Sequence, residues 1–89
     1  MELKKVLESN NYTVVDVRTE GEFAMGNIKG SVNIPLQELD MNVDRIKSIN
    51  GNIVLCCASG MRSENALHFL KSKGVTNAVN AGSWMNLRR

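Results

Sequence analysis

Short apolar runs alternate along this chain with segments whose apolar residues recur every three or four positions. Glu2 to Ser9 places Leu3, Val6 and Leu7 on one face, which predicts a short amphipathic helix ended by Asn10-Asn11. Thr13-Val14-Val15-Asp16-Val17 is β-branched and compact, the pattern of a buried strand. Thr19 with Glu22 three residues on has the form of a capping box, so a brief helix is expected to start there and to stop at Gly26. Ile28 to Pro35 reads as a loop with a short extended piece, because the residue before a proline avoids the helical region. Leu36, Leu39, Val43 and Ile46 predict one helix with a single core face, broken by Asn50-Gly51. Ile53 to Cys56 is the second clear strand. Arg62 to Lys73 is a helix with Ala66, Phe69 and Leu70 on one side and Gly74 just past its end. Thr76 to Val79 reads as a last strand, and Ala81-Gly82-Ser83-Trp84 as the start of a final helical turn.

Strands alternating with helices imply βα units, hence an α/β fold with a mostly parallel sheet and helices on both faces. Ligands of such sheets bind at the carboxyl ends of the strands. The two strong strands end in Asp16-Val17-Arg18 and in Cys57, so both point to the same edge.

Composition narrows the function. The 89 residues are read as one domain, residues 1–89, too small for a second catalytic unit. A net charge of +2 and only four aromatic residues give no footprint for nucleic acid, and Lys4-Lys5 and Arg88-Arg89 are read as solvated ends. The N-terminus lacks the apolar core of a signal peptide, and no apolar run is long enough to span a membrane, so the expectation is a cytoplasmic protein without membrane contact. The two cysteines, Cys56 and Cys57, are adjacent; they cannot staple the fold and are too few for an ordinary protein-only zinc site. Cysteine is therefore expected to serve chemistry, with no metal and no cofactor.

That chemistry centres on Cys57-Ala58-Ser59-Gly60-Met61-Arg62-Ser63, which lies between a strand and a helix. Backbone N–H groups of a tight loop and of a first helical turn converge on a thiol there, and the helix dipole favours its anion. Arg62 adds a permanent cation. The thiolate is the reactive form, so Cys57 is the candidate nucleophile, and Ala58, Ser59, Gly60, Met61, Arg62 and Ser63 are the candidate substrate cradle, with the N–H groups of residues 58 to 62 as donors. Strand alternation turns Cys56 to the opposite side as a small core residue. Arg18 and Glu22, four apart, are expected to form an ion pair, and Asp16 to bond backbone groups near the same edge. Ser63 reads first as a helix cap, His68 as a surface helix residue, Trp84 as core or rim, and Met25 and Met61 as residues of the mouth.

These stretches resemble the rhodanese-like sulfurtransferases in their single-domain form. Asp16-Val17-Arg18, Glu22-Phe23, Gly26-Asn27-Ile28, Gly30-Ser31 and Asn33-Ile34-Pro35 are similar to the family's pattern, as are the Cys57 loop and the closing Asn80-Ala81-Gly82-Ser83-Trp84. Asn27 stands where the family usually has histidine. Ala58 stands where thiosulfate-using members often carry Arg or Lys, which removes a charge from the loop. The resemblance implies a three-layer rhodanese-like sandwich and a double displacement. A sulfane sulfur passes from thiosulfate or a persulfide to Cys57, then to a thiol, cyanide or a sulfur-relay protein. With only Arg62 facing a dianion, thiosulfate is expected to be a weak donor.

Two other readings compete. Counted from Cys56, Arg62 falls at the Cys-x5-Arg spacing of phosphatases and arsenate reductases, but that loop wants glycine three residues after its cysteine and Ser59 is there. Counted from Cys57, Gly60 and Arg62 fit the shorter sulfurtransferase loop. The other rival is a non-catalytic binding module, for which Cys57 would be dispensable.

Overall fold

The computed structural model describes residues 2–88; Met1 and Arg89 lie outside them. Four strands form one sheet in the order β2-β1-β3-β4: β1 (Tyr12–Asp16), β2 (Val32–Asn33), β3 (Asn52–Cys57) and β4 (Ala78–Ser83). Every neighbouring pair is parallel. The helices are α1 (Leu3–Ser9), α2 (Glu20–Met25), α3 (Val43–Lys47) and α4 (Met61–Ser72), with 3₁₀ segments at Leu36–Asn42 and Trp84–Leu87.

Alternation along the strands divides the core into two clusters. Ile53, Leu55 and Cys57 of β3 face Leu39, Ile46, Ala66 and Leu70, the side covered by α3, α4 and the first 3₁₀ segment. Val54 and Cys56 face the other way, toward Val6 and half-buried Leu3, Leu7, Trp84 and Leu87. Each fully buried aliphatic side chain contributes roughly 1.5–3 kcal/mol. The expected three-layer α/β sandwich is therefore present, with helical segments on both sheet faces.

Three boundaries differ from the sequence reading. The segment expected as one helix over Leu36 to Ile46 starts as a 3₁₀ helix behind Pro35 and becomes α only at Val43. Leu36 and Leu39 are three apart, a spacing that also fits three residues per turn, so the apolar pattern does not separate the two forms. The last strand runs later than Thr76–Val79, because Asn80, Gly82 and Ser83 interrupt its apolar pattern while still pairing with β3. Residues 81–83 are thus strand, and the closing helical turn begins only at Trp84, where the Ser83 hydroxyl caps the Met85 N–H.

The pairing of β3 with β4 shifts by one residue between Leu55 and Cys56. This bulge brings Gly82 against the Cys57 loop. Gly60 has φ +103°, and a Cβ there would lie 3.3 Å from Gly82 Cα, so only glycine fits the turn without strain.

Candidate active site

β3 ends by delivering Cys57 beneath the loop that opens α4. Its side chain is fully buried, while Ala58, Ser59 and Met61 above it are exposed. The Gly60 N–H donates to Cys57 Sγ at 2.9 Å and the Ser63 N–H at 3.4 Å, with the Ser63 hydroxyl also 3.4 Å from the sulfur. The ring of donors is narrower in sequence than residues 58 to 62 and extends one position beyond them. The positive φ of Gly60 turns its N–H inward, and the first turn of α4 supplies Ser63.

Burial is the largest single influence on the Cys57 thiol and opposes its ionisation. The Ser63 hydroxyl and the N–H groups of Ser63, Gly60 and Ser59 together outweigh it, so the thiol pKa lies below its ordinary value. Ser63 reaches this position because it lies on the buried stripe of α4 with Ala66 and Leu70. Its hydroxyl is also 3.2 Å from the Gly60 carbonyl, to which it can donate when the sulfur is protonated. Ser63 is not the helix cap that the sequence suggested: Gly60 is the N-cap of α4 and no side chain caps it, while Ser63 lies inside the first turn and faces the sulfur.

Cys56 has the opposite environment. It is fully buried on the other sheet face, and burial, followed by the nearby Asp16 charge, pushes its thiol up to about 12. Cys56 thus lies on the sheet face opposite the loop, where its thiolate is disfavoured. Both cysteines are unbridged.

The acidic and basic residues pair differently from the sequence expectation. Arg18 is buried and bonds both carboxylate oxygens of Asp16, at 2.7–3.0 Å. It meets Glu22 only through the Glu22 main-chain carbonyl, at 3.4 Å. The i,i+4 rule applies within a helix, and Arg18 precedes the Thr19 cap of α2, so the two side chains do not share a helical face. Asp16 does bond backbone, accepting the Arg18 N–H at 3.0 Å. The Arg18 guanidinium also stacks 4.5 Å from the Trp84 ring centre, which makes Trp84 a rim residue that clamps the strand end.

Glu22 instead reaches Arg62 of α4 in a bidentate pair, Nη1–Oε1 at 2.7 Å and Nη2–Oε2 at 2.9 Å. The Arg62 hydrogen bonds, then the Thr19 N–H, hold the Glu22 carboxyl down at about 2. Thr19 and Glu22 do form the expected capping box, and that box is what aims the carboxylate at the loop. The capping pattern was visible in the sequence; its partner 40 residues away was not.

The remaining candidates stay at the periphery. His68 is exposed and lies 3.0 Å from Glu64 on the outer face of α4. Of the two expected mouth residues, Met25 is 90% exposed and does not line the groove at the loop, whereas Met61, 75% exposed, does. Asn27 donates to the Phe23 carbonyl at the end of α2, a structural bond. A shallow groove of about 400 Å³ beside the loop is lined by Ser59, Gly60, Met61, Glu64, Asn65 and Asn80.

The parallel sandwich and the strand–cysteine–loop–helix arrangement define a class, and the comparisons agree with it. Residues 1–88 match the Rhodanese-like domain family. The chain belongs to the rhodanese-like family. It is 31% identical to the human thiosulfate:glutathione sulfurtransferase, with 93% of this chain and 84% of that protein covered. It is 32% identical to the putative sulfur carrier protein YrkF of Bacillus subtilis over 86% of this chain and 41% of that protein. The chain spans less than two thirds of the length of the first curated relatives that it matches, 41% and 62%. The solved structure of the human single-domain sulfurtransferase TSTD1 superposes with a TM-score of 0.77 at 29% identity, covering 96% of this chain and 88% of that one. Among the described residues no helix is long and apolar enough to cross a membrane.

Proposed function

We propose that this protein is a sulfurtransferase that carries a sulfane sulfur on Cys57. The observation that carries this reading is the donor ring on Cys57 Sγ, led by the Gly60 N–H at 2.9 Å. Hydrogen bonds to a charged group contribute about 1.5–3 kcal/mol each, so a few of them hold a thiolate ready without a general base.

In the first step the Cys57 thiolate attacks the outer sulfur of a donor such as thiosulfate or a persulfide. A sulfur–sulfur bond forms at Cys57, the donor's own bond to that sulfur breaks, and sulfite or a thiolate departs with the electron pair. In the second step a thiol or cyanide takes the outer sulfur, and the Cys57 thiolate is regenerated as leaving group. The acceptor can equally be the thiol of a sulfur-relay protein. Ser63 and Gly60 hold the anionic sulfur, and Ala58, Ser59 and Met61 form the surface that the donor meets. Because Cys57 is fully covered in the resting loop, the donor's approach displaces this exposed segment.

Intact-mass analysis after incubation with thiosulfate or an organic persulfide tests the reading. The expected result is a gain of one sulfur, about 32 Da, removed by cyanide and localised to Cys57. Absence of the adduct with every sulfane donor overturns it. A pure binding module would keep its cellular role in a Cys57→Ser variant.

A further inference from the structure

We propose that Glu22 sets the donor preference of this loop: by holding Arg62 it leaves the entrance without a free cation and directs the site to sulfane donors carrying a single charge. The inference rests on Cys57 being the sulfur carrier and names the class of donor that it takes.

Arg62 is the one basic residue of the Cys57 loop, and both of its terminal nitrogens are engaged by the Glu22 carboxylate. The nearby Arg18 is buried and neutralised by Asp16. Ala58, Ser59, Gly60 and Met61 carry no charge. The groove beside the loop adds no cation among the described residues; its charged residue is Glu64, which bonds Asn80 at 2.9 Å and His68 at 3.0 Å. The entrance instead offers the exposed thioether of Met61.

A dianion approaching this surface meets the Glu64 carboxylate and an Arg62–Glu22 pair of no net charge. Arg62 keeps further N–H donors, but its charge is already offset by Glu22, so a dianion competes for it with two short charge-assisted hydrogen bonds, which are roughly twice as strong as neutral ones. A monoanion with an apolar substituent pays half of that repulsion and gains contact with Met61. Glu22 therefore acts on substrate through Arg62, as a positioning residue, while the capping box with Thr19 keeps it fixed.

Thiosulfate and methanethiosulfonate test this directly. Each donates one sulfane sulfur to the Cys57 thiolate; thiosulfate (charge −2) leaves sulfite, and methanethiosulfonate (charge −1) leaves methanesulfinate. No proton acceptor or redox partner is consumed. The measured quantity is the ratio of kcat/KM for thiosulfate to that for methanethiosulfonate, with cyanide as acceptor. Intrinsic donor reactivity is common to all variants and cancels when ratios are compared. Glu22→Gln retains an oxygen for the capping box and removes the charge. It is expected to raise the ratio about fivefold, the scale of one partly exposed charge, mainly through a lower KM for thiosulfate. Glu22→Asp is expected to return the ratio toward wild type, a rescue that a role in folding alone would not tie to donor charge.

An unchanged or lower ratio in Glu22→Gln overturns the proposal. Should that variant not fold, Ala58→Lys places a cation at the exposed loop position and is expected to raise the ratio by at least as much; an unchanged ratio there overturns the proposal equally. Failure of the underlying reading looks different. Wild-type protein that forms no Cys57 persulfide with either donor, or sulfur transfer that persists in Cys57→Ser, removes Cys57 as the carrier and this inference with it.

Discussion

Cys56 and Cys57 are covalent neighbours with opposite chemistry. Both are fully buried, and burial raises the pKa of each. Cys56 projects into the cluster under α1 and beside Asp16, where the Arg18 charge offsets only part of that penalty, and stays a thiol up to about 12. Cys57 projects to the other face, into a loop whose N–H groups and Ser63 hydroxyl point at the sulfur, and its pKa falls. Burial alone therefore does not decide whether a thiol is inert. The number of donors aimed at it does, and one residue of strand register selects between the two fates.

The largest expected effect separates the pair outright. Cys57→Ser is expected to lower sulfur transfer at least about a thousandfold, and Cys56→Ala to leave it within about threefold while costing about 1 kcal/mol of stability through lost packing. Rates with a sulfane donor and cyanide, together with urea melts, check both. Comparable losses of transfer in the two variants would erase the distinction.

Alkylation sharpens it further. Between pH 6 and 8, in round terms, iodoacetamide should label Cys57 and leave Cys56 unmodified until the protein unfolds, read by peptide mass mapping. Equal labelling of both in native protein would contradict the difference in thiol pKa.

Ser63→Ala removes one donor and leaves the backbone donors in place. The alkylation midpoint of Cys57 is expected to rise by about one pH unit, since the lost hydrogen bond is a long one. No change would mean that the Ser63 hydroxyl serves the Gly60 carbonyl alone.

The smallest effect lies in the ion pair that flanks the loop. The Glu22 carboxyl sits near 2 when folded, because of Arg62 and then Thr19, against roughly 4.3 in an unfolded chain. Its contribution is thus complete above about pH 4.3 and is lost as pH falls toward 2. The pair is about one-third exposed, so under about 1 kcal/mol is expected. Thermal melts of wild type and Glu22→Gln should differ slightly at neutral pH and converge near pH 2. The Cys56 thiol works in the other direction: its raised pKa favours the fold up to about pH 8.5, and that advantage declines as pH rises toward 12.

Much of the scaffold was legible because it follows local rules. The β-branched run at Val14-Val15 and the apolar run at Ile53-Val54-Leu55 marked β1 and β3, and their alternation already assigned Cys56 and Cys57 to opposite sides. Thr19 and Glu22 announced the cap of α2, and the order of strand, Cys57 to Ser63 and helix marked the loop over the thiol. Local rules misled where polar residues sit in regular structure. Asn80, Gly82 and Ser83 hid the second half of β4, and a three-residue spacing concealed the 3₁₀ segment after Pro35. They also misassigned the partner of Glu22, since helical spacing was applied across a helix boundary.

The amino-acid order by itself determined a parallel α/β sandwich, the strand that ends in a thiol, and the short loop that joins it to a helix N-terminus, because periodicity acts over a few residues. Which donors reach the sulfur, which carboxylate binds Arg62, and which bulge seats Gly82 against Gly60 were decided only when β3, β4, α2 and α4 came together. Those contacts join residues up to 40 positions apart, and side-chain reach across such a distance depends on how whole elements pack, which local pattern does not encode.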